Sequence, residues 1–265
     1  MSARERSMKS LADKICVVTG GAQGIGAAVC GEFARQGARL AILDLDGALA
    51  EARAAELRGG GAVARSYRCD VADRASVFAA AEAVAGDLGR AGVLVNSAGL
   101  ALIGPSLEFP EDEWRRSLDV MTTGVFFCCQ AFGRQMVEGG GGAIVNITSM
   151  NATVAFPMRL AYNAAKAAVK SMTEVLAIEW AGHGIRVNAV APGVTRTALV
   201  ERAIEAGHVD EEAYVRRTPL ARLAEPAEIA KAVLFLAAGE QSGFVTGHSL
   251  VVDGGWSAFG FVSER

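Results

Sequence analysis

Short apolar, β-branched runs alternate with longer stretches of helical period along the whole chain. The runs fall at residues 15–18, 40–43, 63–67, 93–95, 143–147, 185–190 and 249–252. Between them lie amphipathic stretches at 25–36, 46–58, 73–88, 111–137, 160–181 and 226–238. Strands that alternate with helices build βαβ units, whose crossovers place helices on both faces of a parallel sheet. The pattern predicts an α/β fold. Because the alternation does not break, it predicts one domain over residues 1–265.

Several boundaries have local causes. Asp46 and Asp73 each precede a helical stretch and are placed to cap it, and Pro226 stands where a first-turn proline is tolerated. The glycines at 139–142 end the long helix near Glu138, since four in a row cannot continue it cheaply. Residues 197–217 are polar, with weak helical period and no strand, and the segment reads either as a lid over a site or as a solvated excursion with no role.

Composition narrows the class. Apolar residues make up 51% of 265 and charged residues 21%, which suits a buried core and argues against disorder. A formal charge of -3 offers no net attraction to nucleic acid or anionic membranes. The five cysteines (16, 30, 69, 128, 129) contain no Cys-x-x-Cys pair, and only His183, His208 and His248 are available to join them. No metal site or disulfide framework is expected, and buried free thiols are. Residues 1–14 are polar with no signal-like apolar stretch, and no run of about 18 apolar residues is present to span a bilayer. A cytoplasmic location is expected.

The first strand runs directly into Gly20-Gly21-Ala22-Gln23-Gly24-Ile25-Gly26, after which a helix begins. Glycines at 20, 24 and 26 let the backbone turn tightly and approach a pyrophosphate, while the helix N-terminus supplies free N–H groups. Asp44 ends the second strand, twenty residues beyond Gly24. A carboxylate there can accept both ribose hydroxyls and repels a 2′-phosphate, which favours NAD over NADP. Gln23 agrees, because the loop holds no Lys or Arg for that phosphate.

Tyr162 and Lys166 stand four apart in Tyr-Asn-Ala-Ala-Lys, so they leave the same helix face as neighbours. A nearby ammonium lowers a tyrosine pKa and makes the phenol usable as a general acid/base. Ser149 lies thirteen residues before Tyr162, just after the fifth strand. Asn96-Ser97-Ala98-Gly99 follows the fourth strand, and Pro192-Gly193 follows the sixth. All of these polar groups lie at C-terminal strand ends, where an open α/β sheet holds its ligands.

With these motifs in this order, the sequence resembles the short-chain dehydrogenase/reductase family over essentially residues 10–258. The resemblance implies a three-layer, doubly wound Rossmann fold with seven parallel strands ordered 3-2-1-4-5-6-7. It implies that Gly20, Gln23, Gly24, Ile25 and Gly26 surround the pyrophosphate and that Asp44 holds the adenosine ribose. Asp70 and Val71 then flank adenine, and Asn96, Ala98 and Gly99 line the cofactor channel. Tyr162 and Lys166 also touch the cofactor, while Pro192, Gly193, Val194 and Thr197 hold the nicotinamide. Ser149, Tyr162 and Lys166 are the implied catalytic residues, with Ser149 binding the substrate oxygen and Tyr162 exchanging its proton. The resemblance further implies a homotetramer that uses the helices at 111–137 and 160–181.

One position departs from the family. Members usually carry Val-Asn-x-x-Gly on the long fourth helix, where the asparagine places a water near the lysine. This chain has Val120-Met121-Thr122-Thr123-Gly124. A thioether is only a weak acceptor, so reduced turnover is expected unless the backbone carbonyl holds the water. A catalytically weak dinucleotide-binding protein is therefore an alternative.

The expected pocket mixes apolar Leu100, Met150, Phe156 and Met158 with polar Asn151 and Arg159, which join Ser149 and Tyr162 as candidate substrate contacts. That mixture suits a secondary alcohol carrying further hydroxyls, such as a polyol or sugar. A 3-oxoacyl-thioester reductase is the runner-up.

Overall fold

A computed structural model of the protein describes residues 10–205, 207 and 209–260; the leading segment 1–9, part of the polar stretch judged above, lies outside them. Seven strands are present: β1 (Ile15–Thr19), β2 (Arg39–Asp44), β3 (Val63–Arg68), β4 (Val93–Asn96), β5 (Gly142–Ile147), β6 (Ile185–Pro192) and β7 (Ser249–Val252). All pair in parallel, in the order β3-β2-β1-β4-β5-β6-β7. This is the predicted doubly wound sheet. The order reverses between β1 and β4, which opens a crevice at the C-terminal ends of the strands.

The inner strands β1, β2, β4, β5 and β6 are buried on both faces, which is why they read as nearly unbroken apolar runs, while the edge strands β3 and β7 are partly exposed. Successive residues point to opposite sides. In β1, Cys16 and Val18 join one core and Val17 the other; in β2, Leu40 and Ile42 face one way and Ala41 and Leu43 the other. The first core is closed by α1 (Gly24–Arg35), α2 (Gly47–Gly59) and α9 (Pro226–Ala237), through Val29, Phe33, Ala54 and Ile229. The second is closed by α3 (Arg74–Asp87), α5 (Gly124–Glu138) and α6 (Leu160–Trp180), through Val77, Phe132 and Val169.

The expected helix starts hold. Asp46 Oδ1 accepts from the amides of Ala48 and Leu49 at 3.0 Å, and Asp73 Oδ1 accepts from Ala75 at 2.9 Å. Pro226 occupies the first turn of α9, beside a reciprocal capping box between Glu225 and Glu228. Gly139 follows α5 immediately after Glu138. The described cysteines are all buried free thiols. Desolvation pushes Cys30 and Cys129 up to about 12 and Cys69 up to about 11, so they are poor nucleophiles at neutral pH.

Two segments differ from the sequence expectation. The stretch 111–137 is not one helix but α4 (Glu111–Leu118), a π-helical turn (Asp119–Thr123) and α5. The Gly124 amide reaches back to the Asp119 carbonyl, a bond spanning five residues. Gly124 packs so closely on Val71 that a Cβ would lie 2.9 Å from the Val71 carbonyl oxygen. The extra residue in the turn rotates α5 relative to α4, which a search for unbroken helical period does not register. Segment 197–217 contains two short helices, α7 (Ala198–Glu205) and α8 (Glu211–Arg217). Each spans about two turns, too short to establish a clear period. Asp210 caps α8, and Arg196 pairs with Glu211 at 2.5 Å across the connection. The last short helix, α10 (Gly239–Ser242), precedes β7. No helix among the described residues is long and apolar enough to cross a membrane.

Candidate active site

A cavity of about 1370 Å³ runs along the C-terminal ends of the strands, with the glycine turn at one end and α7 and α8 over the other. Gly20 adopts φ +62°, and a Cβ there would lie 2.8 Å from Ala98 Cα, so the turn and the β4 loop touch through backbone alone. Gly26 is equally constrained, since a Cβ on it would fall 2.1 Å from the Gly20 carbonyl oxygen. Thr19 locks the same junction. Its Oγ1 accepts from the amides of Ser97 at 3.1 Å and Ala98 at 3.2 Å. Sequence reasoning did not select Thr19, because a threonine at a strand end carries no pattern until its partner loop is known.

Asp44 is oriented before any ligand arrives. Its Oδ2 accepts from the Ala22 amide and its Oδ1 from the Asp46 amide, both at 3.1 Å. Its remaining lone pairs face the cavity. The helix-capping role belongs to Asp46, as expected. Arg68 stands directly opposite Asp44 in the β2–β3 register and also lines the cavity. The glycine turn holds no cation, but the neighbouring strand brings one.

Gln23, Gly24, Ile25, Asp70, Val71, Ala98, Gly99, Pro192, Gly193, Val194 and Thr197 all line this cavity. Two expected cofactor residues do not. Gly26 packs beneath the turn. Asn96 points down into a buried polar chain: its Nδ2 donates to Asn146 Oδ1 at 2.8 Å, and Asn146 Nδ2 donates to Thr173 Oγ1 at 2.9 Å. Asn96 thus ties β4 to β5 and α6 under the site. Its amide nitrogen finds its partner below the sheet edge, whereas its buried Oδ1 has no hydrogen-bond partner among the described residues.

At the other end, Ser149, Asn151, Arg159, Tyr162 and Lys166 share one wall. Ser149 follows β5 and accepts from the Asn151 amide at 3.1 Å, while its hydroxyl donates to Asn151 Oδ1 at 3.3 Å. Asn151 also meets the Asn163 side chain at 3.0 Å. Lys166 is buried; its Nζ donates to the Ile147 carbonyl at 2.8 Å and lies 5.6 Å from the centre of the Tyr162 ring. Desolvation pushes Lys166 down to about 8.

The electrostatics of Tyr162 differ from the sequence expectation. Desolvation raises its pKa above the ordinary tyrosine value, and the Ser149 hydroxyl and the Arg159 charge pull it partly back. The Lys166 ammonium, 5.6 Å from the ring centre, favours the phenolate whenever it carries its charge. Sequence spacing places the amine beside the ring but cannot register that both groups leave water on folding. Met121 lies buried within the π-helical turn, and a Cβ on Gly99 would come 3.8 Å from its Sδ and 3.9 Å from Lys166 Nζ.

Sequence reasoning also missed the roof of this end. Tyr214 on α8 receives a 3.2 Å hydrogen bond from Arg159 Nη2. Its ring and that of Phe156 each approach Trp256, with centroids 5.5 Å apart in both cases. The chain has only three Tyr and three Trp, so two of them in otherwise polar segments were a usable signal. Among the described residues, no group of three His, Cys, Asp or Glu is arranged to hold a metal.

The residues present fit a dinucleotide. Backbone at Gly20 reaches Ala98 closely enough to exclude any side chain, Asp44 is held with acceptor capacity to spare, and an open channel joins both to Tyr162. Comparisons with known proteins agree with that shape. Residues 20–257 match the family model described as enoyl-(acyl carrier protein) reductase. The chain is 46% identical to a D-threitol dehydrogenase of Mycolicibacterium smegmatis, covering 92% of this chain and 93% of that one. It is 42% identical to a galactitol 2-dehydrogenase (L-tagatose-forming) of Cereibacter sphaeroides, covering 96% and 99%. Among solved structures, a gluconate 5-dehydrogenase of Burkholderia cenocepacia, in complex with NADP and tartrate, superposes with a TM-score of 0.89 at 33% identity, covering 94% and 97%. Fold, strand order and relatives agree, and the chain belongs to the short-chain dehydrogenase/reductase family, as an oxidoreductase of secondary alcohols.

Proposed function

We propose that this chain interconverts a polyol or sugar-like secondary alcohol and its ketone, using NAD(H), with Tyr162 as general acid/base. The observation that carries the reading is that Ser149, Tyr162 and Lys166 line one wall of a channel whose far end is the glycine turn and Asp44. When bound, the nicotinamide supplies or accepts the hydride. Gly20, Gln23, Gly24 and Ile25 would hold its pyrophosphate, Asp44 its adenosine ribose, Asp70 and Val71 its adenine, and Pro192, Gly193, Val194 and Thr197 its nicotinamide end.

The protein's own work is local. Ser149, its oxygen held by the Asn151 amide, would turn its hydroxyl from Asn151 Oδ1 to the substrate oxygen and stabilise charge developing there. Tyr162, kept a neutral phenol by burial, gives its proton to a carbonyl oxygen during reduction and takes one back during oxidation. Lys166 borders the same wall, tied to Ile147, and would meet the nicotinamide ribose. Asn151 and Arg159 supply the polar contacts expected for further substrate hydroxyls. The two short helices of segment 197–217 would act as a lid, since Leu199, Val200, Arg202 and Tyr214 face the cavity; Ala206 and His208 of that segment lie outside the described residues.

Preference for NAD rests on the negative charge of Asp44, against which a 2′-phosphate would be placed. Arg68 opposes that preference from β3. Association as a homotetramer is supported by exposed apolar side chains on the outer faces of α5 and α6, including Phe126 and Ile178. Sedimentation as a single monomeric species would refute it.

Steady-state rates test the main reading: threitol, galactitol and a 3-oxoacyl thioester, each with NAD(H) and NADP(H). The expected result is turnover of a polyol with NAD. Preferential reduction of the thioester would replace the substrate assignment, and NADH binding without turnover on any substrate would replace the enzyme with a dinucleotide-binding protein.

A further inference from the structure

Arg159 stands at the entry to α6, three positions ahead of Tyr162, and both side chains line the cavity. Residues three apart on a helix have their Cβ atoms about 5–6 Å from each other, a span that one small substrate bridges. The guanidinium is held by neutral groups. Nη2 donates to the Tyr214 hydroxyl at 3.2 Å, and Cζ lies 5.9 Å from the centre of the Phe156 ring. Both of those rings rest on Trp256, which is backed in turn by the Arg217 guanidinium at 4.9 Å. Three aromatic rings from separate segments thus fix one cation at the substrate end.

What this cation lacks is an anion. Among the described residues, no carboxylate oxygen lies within 4.0 Å of it, and its Nη1 and Nε groups find no hydrogen-bond acceptor. Arg186 and Arg217 also stand without a carboxylate, but backbone carbonyls satisfy them. Arg186 Nη1 donates to Leu236 at 2.8 Å, and Arg217 donates to Trp256 at 3.2 Å and Phe259 at 2.6 Å. Tyr214 is open as well: its oxygen accepts from Arg159, and no acceptor among the described residues takes its own proton. Other charges on the cavity walls leave the gap unfilled. Glu113 and Arg116 on α4 oppose each other, Arg202 on α7 adds a further cation, and Asp44 and Asp70 belong to the cofactor end. A half-buried guanidinium with open donors favours an anion that enters beside it.

We propose that Arg159 and Tyr214 form a carboxylate subsite, so that the preferred substrate is a polyhydroxy acid oxidised at a secondary hydroxyl held by Ser149 and Tyr162. The inference rests on Ser149 and Tyr162 marking the reacting end. A carboxylate brings one negative charge and two oxygens in a plane, which one guanidinium and one phenol satisfy. A phosphate ester brings nearly two charges and would be left undercompensated. The carboxylate itself does not react: the alcohol carbon gives its hydride to bound NAD and its hydroxyl proton to Tyr162, leaving an oxo acid. Because Tyr214 stands on α8 and Arg159 on α6, a bound acid also ties the lid to the helix that carries Tyr162.

The experiment compares an acid with its neutral counterpart on the same carbon skeleton: galactonate with galactitol and threonate with threitol, with galactitol 1-phosphate as the dianionic control. With NAD, the wild type is expected to show kcat/KM about 10- to 100-fold higher for each acid than for its polyol, the size of a charge-assisted contact. Arg159→Gln is expected to collapse that ratio, chiefly through KM for the acid. Arg159→Lys, a point charge without the planar fork, is expected to keep part of it. Tyr214→Phe is expected to lower it severalfold. Loss of a merely structural contact would lower kcat/KM for acid and polyol alike and leave the ratio in place.

A wild-type ratio near one overturns the proposal, as does an unchanged ratio in Arg159→Gln or a preference for the phosphate ester over the acid. Thermal melting establishes that each variant is folded. Calorimetric titration of galactonate into protein saturated with NADH separates this proposal from the reading of the reaction. If no alcohol is oxidised, yet galactonate binds the wild type and not Arg159→Gln, the reaction fails and the subsite stands. If galactitol is oxidised while galactonate binds neither protein, or both equally, the subsite alone fails. Absence of both turnover and binding ends both.

Discussion

The two ends of the cavity are built in opposite ways. The cofactor end is backbone and short side chains: Gly20 against Ala98, Gly26 against Gly20, Thr19 and Asp44 taking amides from adjacent loops. Its contacts cross between neighbouring parallel strands and leave little freedom. The substrate end is made of long side chains gathered from four places in the chain, with Arg159 meeting Tyr214 fifty-five positions away and Trp256 meeting the rings of Tyr214 and Phe156. Its charges are partly desolvated and mutually tuned. A backbone cradle tolerates few substitutions and does one task, whereas a side-chain assembly can change its substrate or its pH response one residue at a time.

Four substitutions sharpen this contrast. The largest effect belongs to Tyr162→Phe, which removes the proposed proton donor while keeping the ring; kcat, followed by NADH absorbance, is expected to fall by about 10²–10⁴-fold with the fold intact. At the other end, Gly26→Ala strikes backbone, because its Cβ would sit 2.1 Å from the Gly20 carbonyl oxygen. Unfolding in urea should show a loss of about 3 kcal/mol together with weakened NADH binding. A Gly26→Ala protein as stable as wild type would show that the cradle can shift and is not rigid.

Asp44→Asn comes next. It keeps the size but removes the charge and turns one oxygen, which accepts from the Ala22 or Asp46 amide, into a donor; kcat/KM with NAD should drop about 10- to 100-fold while discrimination against NADP narrows. An unchanged cofactor ratio would assign selectivity to another group, with Arg68 across the register the first to examine.

The smallest effect concerns Lys166. Its folded pKa, about 8, lies below the unfolded value of 10.5, so the unfolded chain binds more protons between those limits. This group therefore costs stability below pH 8, and the cost is relieved as pH rises through 8 towards 10.5. Lys166→Met should accordingly gain on the order of 1–2 kcal/mol over wild type at pH 7, with the gain vanishing by about pH 10. Chemical denaturation at both pH values checks it. A variant equally displaced from wild type at both would show that the lost bond to Ile147, and not the buried charge, governs this position.

Much of the cofactor end was legible because its signals are local. Glycines just after a strand, an acidic residue at the next strand end, and polar residues at successive strand termini all sit within a few positions of the element that explains them. Asn96 shows the limit: its sequence context matches a channel residue, yet its amide nitrogen donates to Asn146 below the sheet. The π-helical turn at Asp119–Thr123 was hidden for a similar reason, since the hydrogen bond that creates it answers the packing of Gly124 on Val71, a residue from another loop. Tyr214 and Trp256 carried no motif, and only their rarity marked them.

By itself the sequence determined the alternation of strands and helices, the parallel sheet that alternation requires, the glycine turn after β1, and the pairing of Tyr162 with Lys166 on one helical face. These follow from periodicity, from glycine's freedom and from spacing along one element. Tertiary structure alone decided which way Asn96 faces, where Arg68 stands relative to Asp44, and how deeply Lys166 is withdrawn from water. Those outcomes depend on desolvation and on contacts between distant segments, and neither is encoded at any single position of the chain.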